Sequence, residues 1–188
     1  GVGRIVLPLA SMVERVMGID ISESMLDEAQ KNCAAHGLKN VTFRKSDDAL
    51  SALDESFDFI HSYIVFQHIP VVRGRRIFAG LIDHLAEDGI AAIHLTYAKS
   101  ADEKTLGVKP PQAWRALTKR RIFSYRERSR NLEMQMNPYN LNELLFIMQG
   151  KGIRHFHVEF CDHDGQLGVI LYFRKASAVQ RTSGNYCP

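Results

Sequence analysis

Two glycines and an aspartate near the start of the chain have types and spacing suited to binding a nucleoside. The chain begins GVGR, and Asp20 stands 17 residues after Gly3, at the end of the apolar stretch RVMGID. A turn built on Gly1 and Gly3 lets a ligand approach the backbone closely. A carboxylate at the end of the next strand can accept hydrogen bonds from both hydroxyls of a ribose. Since Gly-x-Gly alone is equally typical of a tight turn, the prediction depends on Asp20 and on the surrounding elements.

Histidines supply the candidate acid–base and metal chemistry. His68, in FQHIP, follows an apolar run, and an unperturbed imidazole titrates near neutrality, so His68 is the candidate general base. The alternative is a histidine that packs or hydrogen-bonds at a helix start, and His61 is interpreted as a core residue of its strand. His155 and His157 have the i, i+2 spacing with which two strand residues can share a metal ion. No further ligand is evident nearby, so we interpret them as surface histidines and expect no metal.

Apolar periodicity and turn residues predict a layered α/β fold on a mainly parallel sheet, closed by an antiparallel hairpin at CDHDG. Helices are predicted from Ile5 to Val13, over 22–37 with Ser22 or Ser24 as the cap, from about 71 through Leu85 to a stop at Gly89, and over 140–152. Strands are predicted over 15–20, 40–45, 57–66, 90–97, 153–160 and 166–175.

A basic segment interrupts this pattern. We predict one domain over residues 1–175, an insertion over about 98–137 and a tail over 176–188. Within the insertion, WRALTKRRIFSYRERSR carries seven basic side chains against one Glu. Trp114, Arg121 and Tyr125 are the candidate substrate-binding residues, because basic and aromatic groups together can close over an acidic or aromatic substrate. A solvated surface and a nucleic-acid contact are the alternatives.

Composition restricts the compartment and the partners. The net charge of +3 does not by itself require a nucleic-acid or membrane partner. The apolar runs fall short of the roughly 18–20 residues that a membrane span needs. The three cysteines are far apart and lack a CxxC pair, which indicates neither a disulfide framework nor a thiolate zinc site. A cytoplasmic protein with reduced thiols is expected, of unknown oligomeric state.

Four stretches, GVGR, GIDISESML, KSDDAL and FDFIHSYIVFQHI, together resemble the class I S-adenosylmethionine-dependent methyltransferase family, over Gly1 through Lys175. The resemblance implies a Rossmann-like fold, S-adenosyl-L-methionine as the cofactor, and methyl transfer. It implies that the loop of Gly1 and Gly3 approaches the cofactor and that Asp20 holds the ribose. It further implies that Ile21 and Asp47 contact the adenine, with Asp48 close by. Tyr63 and Phe66 would lie near the sulfonium. A loop-capping aspartate is the alternative for Asp47.

The chain departs from the family pattern at its start. The family loop begins with an acidic residue and one more glycine, after a central strand, whereas GVGR starts partway through it. We therefore expect the natural polypeptide to continue upstream.

The expected acceptor is a small molecule methylated at oxygen or nitrogen. The strand-end segment SYIVFQHIP lacks the Asn/Asp-Pro-Pro-aromatic motif of amino-methylating DNA enzymes, which argues against a nucleic-acid partner. Two alternatives stay open. One is a catalytically degenerate scaffold that acts through protein partners. The other is an NAD-dependent oxidoreductase. Such enzymes typically carry Gly-x-Gly-x-x-Gly, whereas in this chain the second glycine is followed by RIVL, which has no third glycine.

Overall fold

The computed structural model describes residues 1–99 and 136–177, which belong to two compact units, Gly1–Glu55 and Ser56–Pro188. The candidate residues Trp114, Arg121 and Tyr125 lie outside the described residues, as do most of the predicted insertion and tail. Within the described ranges, none of the helices combines the length and apolarity required to cross a bilayer.

The first unit contains two parallel strands and two helices: α1 (Val6–Ala10), β1 (Val16–Asp20), α2 (Glu23–Ala35) and β2 (Val41–Lys45). Ser22 rather than Ser24 caps α2, because its hydroxyl accepts the Met25 N–H at 3.4 Å. In the pairing register Asp20 lies opposite Lys45, so both strands end at the same edge. This edge, at the carboxyl end of both strands, is where an open α/β sheet binds its ligands.

The second unit is a four-stranded sheet with helices. Its elements are β3 (Phe57–Ser62), a 3-10 turn (Phe66–His68), α3 (Val71–Asp83), β4 (Leu85–Lys99), α4 (Leu141–Gly150), β5 (Phe156–His163) and β6 (Gln166–Arg174). The strand order is β3-β4-β6-β5, in which β3 and β4 are parallel and the other two pairs are antiparallel. Asp164 and Gly165 have φ of 54° and 81°, the left-handed pair of a type I′ hairpin turn that an Asp-Gly step favours.

The core of the second unit is built from buried side chains of α3, α4, β4 and β6. Its fully buried side chains include Phe78, Ile82, Leu85, Ile93, Leu95, Leu144, Met148, Val169 and Leu171. The inner strands, β4 and β6, are buried almost continuously, which explains why their sequences are apolar runs.

The predicted extent of α3 is wrong at its end. The helix ends at Asp83, and Leu85, which the periodicity assigns to the helix, begins β4. The cause is a contact distant in sequence: Asp88 N–H donates to Lys175 O at 2.7 Å, and Lys175 N–H donates to Gly89 O at 3.0 Å. These bonds tie the stretch before Ile90 to the end of β6, and helical periodicity cannot reveal them.

Candidate functional site

Asp20 lies at the carboxyl end of β1 as an oriented anion. Its Oδ1 accepts the Ser22 N–H at 2.9 Å, and its Oδ2 lies within hydrogen-bond reach of the Gly1 nitrogen. Burial acts to raise the pKa of Asp20 and the N–H bonds from Ser22 and Ile21 act to lower it, against an ordinary value near 4. The carboxylate is therefore charged at neutral pH and can accept hydrogen bonds from a diol.

The glycine loop reaches Asp20 and packs on α2. Gly3 has φ of 85°, and a Cβ atom added there would lie 3.3 Å from Ala29 Cβ, so glycine meets both a backbone and a packing requirement. Asn32 Nδ2 donates to Val2 O at 3.0 Å and holds the loop in place. Around Gly1 an added Cβ would meet nothing within 4 Å. An open loop backbone beside a fixed carboxylate suits the ribose of a nucleoside, as the residue types predict.

The predicted adenine residues differ in what they do. Ile21, next to Asp20, has 69% of its surface exposed, which leaves an apolar face available to a flat ring. Asp47 caps its own turn: its Oδ1 accepts the Ala49 and Ser51 N–H groups at 3.0 Å each. The Ser51 hydroxyl bond to Asp47, followed by these N–H bonds, holds the pKa of Asp47 below its ordinary value. Asp48 is exposed. The loop-capping role of Asp47 is thus present, and its adenine contact stays a prediction.

In the second unit, the segment after β3 is fixed by a buried tyrosine. Tyr139 Oη donates to Ile69 O at 2.9 Å and lies 3.0 Å from Phe66 O. Phe66 is only 1% exposed and packs edge-on against Phe78 and Tyr139. The ring of Phe66 therefore lies in the core, and its contact with the cofactor stays a prediction. The sequence alone does not distinguish the two kinds of position, because core residues and pocket-lining residues are equally apolar.

His68 has one ring nitrogen already engaged. Thr96 Oγ1 donates to Gln67 Oε1 at 3.1 Å, which turns the Gln67 amide NH₂ toward His68 Nε2 at 3.2 Å. An amide NH₂ can only donate, so Nε2 accepts and the neutral ring carries its proton on Nδ1. For His68 to take a proton from an acceptor through Nε2, Gln67 must give up this bond. The general-base role of His68 stays a prediction.

Tyr63 joins a cluster of histidines. It is 40% exposed, and its ring lies 5.0 Å from that of His94 and 5.7 Å from that of His163, centroid to centroid. His94, which no sequence motif singled out, is completely buried on β4. Burial, with the charge of His163 added, lowers the pKa of His94 to about 4. His61, expected in the core, is instead exposed on β3. The available signal for His94 was a histidine within the largely apolar run IAAIHLTY.

Comparison with known proteins identifies several relatives. Residues 1–89 match the family model described as "Methyltransferase domain". An uncharacterized protein of Rickettsia prowazekii is 35% identical over 80 residues, which are 41% of this chain and 14% of that protein. A 23S rRNA (uracil(1939)-C(5))-methyltransferase of Marinomonas posidonica is 40% identical over 47 residues, 25% of this chain and 11% of that protein. A malonyl-[acyl-carrier protein] O-methyltransferase of Bacillus cereus is 21% identical over 183 residues, 92% of this chain and 59% of that protein.

Solved structures share the fold. Magnesium protoporphyrin IX methyltransferase from Synechocystis, crystallised with bound SAH, superposes with a TM-score of 0.67 at 19% identity, covering 94% of this chain and 71% of that one. The predicted fold class, a Rossmann-like α/β methyltransferase fold with an antiparallel strand, is confirmed. The chain spans 59% or less of the curated relatives that it matches.

Proposed function

We propose that this chain is a class I S-adenosylmethionine-dependent methyltransferase, which binds S-adenosyl-L-methionine and transfers its methyl group to an oxygen or nitrogen of a small-molecule acceptor. The observation that carries the proposal is Asp20, an anionic carboxylate fixed at the end of β1 beside the glycine loop. When bound, the cofactor supplies an activated methyl group on a sulfonium, which leaves as a neutral thioether.

The first unit provides the groups for the nucleoside. We assign the ribose hydroxyls to the Asp20 carboxylate, because it is charged and has an exposed apolar neighbour, Ile21, on which an adenine ring can pack. Asp47, with Asp48 beside it, is assigned to the adenine amino group. The bonds that Asp47 accepts within its own turn fix its carboxylate in place for that contact.

The second unit provides the candidate residues for the acceptor. Methyl transfer requires the acceptor atom in line with the methyl group, and a base only where the acceptor must lose a proton. His68 is the candidate base, and the half-exposed ring of Tyr63 stays our prediction for the cofactor contact near the sulfonium. Trp114, Arg121 and Tyr125, outside the described residues, stay our prediction for acceptor recognition.

Two of the matched proteins support a small-molecule or carrier-bound acceptor, and one leaves RNA as the competing class. By their names, the matched enzymes act on malonyl-[acyl-carrier protein], on magnesium protoporphyrin IX and on 23S rRNA. We place the reaction in the cytoplasm, a compartment that suits the free thiols Cys33 and Cys161.

The test is a methyl-transfer assay that measures S-adenosylhomocysteine formation with S-adenosylmethionine and separate pools of carboxylic acids, phenols, amines, acyl-carrier thioesters and RNA. Turnover that depends on a low-molecular-weight acceptor is the expected result. Turnover with RNA alone would show that the acceptor is RNA rather than a small molecule. Cofactor binding without turnover in any pool would favour the degenerate scaffold.

A further inference from the structure

A buried histidine in the second unit has a ring nitrogen with no hydrogen-bond partner. His94 is completely inaccessible to solvent, and its Nδ1 accepts the Ile64 N–H at 3.3 Å. Its Nε2, also buried, has no partner among the described residues. A buried polar atom left without a hydrogen bond destabilises the folded chain, so it points to a group that completes it.

The sheet aims this nitrogen at two further ligand atoms. Cys161 on β5 lies opposite Gly168 on β6, and Gly168 in turn lies opposite Thr96 on β4, two residues beyond His94. A Cβ atom added at Gly168 would lie 2.6 Å from His94 Nε2 and 2.8 Å from Cys161 Sγ. Glycine therefore keeps open the space into which both atoms point. His163, also on β5, completes a group whose three ligand atoms lie within 4.8 Å of one another.

We propose that His94, Cys161 and His163 form a site for a divalent metal ion of the zinc type. Two imidazole nitrogens and one thiolate form a ligand set that zinc prefers, and three protein ligands leave one tetrahedral position for water or another donor. With Nδ1 of His163 as the ligand atom, its Nε2 keeps the 3.3 Å contact with Tyr63 Oη, the outer-shell partner that zinc histidines usually have.

The proton balance of binding is simple. The Cys161 thiol loses its proton to solvent and becomes a thiolate ligand, without oxidation or reduction. In the neutral ring of His94 the proton moves from Nε2 to Nδ1. Nε2 then coordinates the metal, the 3.3 Å bond from the Ile64 N–H is lost, and Nδ1–H and the Ile64 N–H become two donors that face each other. Binding therefore requires the Ile64 backbone to turn its N–H away from the ring, and coordination by Nε2 and the Cys161 thiolate has to outweigh the loss of this hydrogen bond by both donors.

This site differs from the pair of His155 and His157 that the i, i+2 spacing suggests. His155 precedes β5, and the ring of His157 lies 6.0 Å from that of Tyr172, centroid to centroid. The ligands come instead from β4 and from the end of β5. The expectation of no metal considered only His155 and His157, whereas the fold brings His94 together with Cys161 and His163.

The test is a cobalt titration of the full chain, because Co²⁺ reports thiolate ligation as a near-ultraviolet charge-transfer band and tetrahedral geometry as visible absorption. A Cys187→Ser background, kept reduced with a phosphine, removes the tail thiol. We expect one equivalent of Co²⁺ to produce both signals and Zn²⁺ to displace it. In this background, Cys161→Ser should abolish the charge-transfer band, and His163→Gln should weaken binding about tenfold or more.

Matched controls separate the site from surface histidines and from misfolding. His157→Gln, on the same strand, should leave the affinity for Co²⁺ unchanged, and circular dichroism should show that every variant is folded. The proposal is overturned if the folded parent chain shows no charge-transfer band, or if Cys161→Ser and His163→Gln bind Co²⁺ as tightly as the parent. The titration needs neither cofactor nor methyl transfer, so its outcome is independent of the proposed enzymatic function.

Discussion

The hydroxyl of Tyr139 should contribute measurably to stability, because it anchors the segment that carries His68. In Tyr139→Phe the ring keeps its packing, so the change removes little apolar contact. The Phe66 carbonyl still accepts the Ile69 N–H at 2.9 Å, but the Ile69 carbonyl loses the donor at 2.9 Å. A half-buried acceptor that loses its partner costs up to about 1–3 kcal/mol, and we expect Tyr139→Phe to lower the free energy of unfolding within this range.

The assay is equilibrium urea unfolding followed by circular dichroism, with Tyr172→Phe as the matched control. The Tyr172 hydroxyl bonds the side chain of Glu159 at 3.1 Å in an exposed contact, so its removal should change stability by no more than about 0.5 kcal/mol. An equal effect of the two substitutions would refute the inference that the Tyr139 hydroxyl anchors the segment.

Titration of Tyr139 gives the same prediction a pH dependence. Burial raises the pKa of Tyr139 in the folded state, whereas a tyrosine in the unfolded chain ionises near pH 10. The stability that this shift represents is therefore fully present below about pH 10 and is lost as the pH rises above it. In Tyr139→Phe the stability should decline less steeply above pH 10 than in the parent.

Three further predictions test the packing, the cap and the acceptor segment. In Gly74→Ala the new Cβ would lie 1.9 Å from Tyr139 Oη, so the free energy of unfolding should fall by about 1–3 kcal/mol or more. In urea unfolding of the double variant with Tyr139→Phe, the two effects should not add. Ser22→Ala should cost about 0.5–2 kcal/mol in thermal unfolding, whereas Ser24→Ala should cost less, and the reverse order would contradict the capping assignment. Arg121→Gln should raise KM for the acceptor with little change in kcat, and an unchanged KM would remove Arg121 from acceptor binding.

Local signals were enough to predict much of the fold. The strand that ends at Asp20, the helix that begins after Ser22 and the Asp-Gly hairpin all depend on residues close together in sequence. Capping preferences and turn geometry act over a few residues, so a single sequence carries them.

Contacts between residues far apart in the sequence could not be predicted from the sequence. The end of α3 depends on bonds that join Asp88 and Gly89 to Lys175, and the ring of Phe66 lies in the core because Phe78 and Tyr139 pack against it. The meeting of His94 with Cys161 depends on the register of three strands. Periodicity shows that these residues are buried or in strands, but not what they contact.

Calorimetric titration of the chain with S-adenosylhomocysteine tests the central claim most directly, since the product cannot turn over. The comparison is Asp20→Asn, which keeps the size of the side chain, with Asp27→Asn on the exposed surface of α2 as the control and NADH as the competing ligand. We predict micromolar binding that Asp20→Asn weakens tenfold or more, about 1.4 kcal/mol, and that Asp27→Asn leaves unchanged. Binding of NADH in place of S-adenosylhomocysteine, or equal affinity of Asp20→Asn and the parent for S-adenosylhomocysteine, would contradict the assignment.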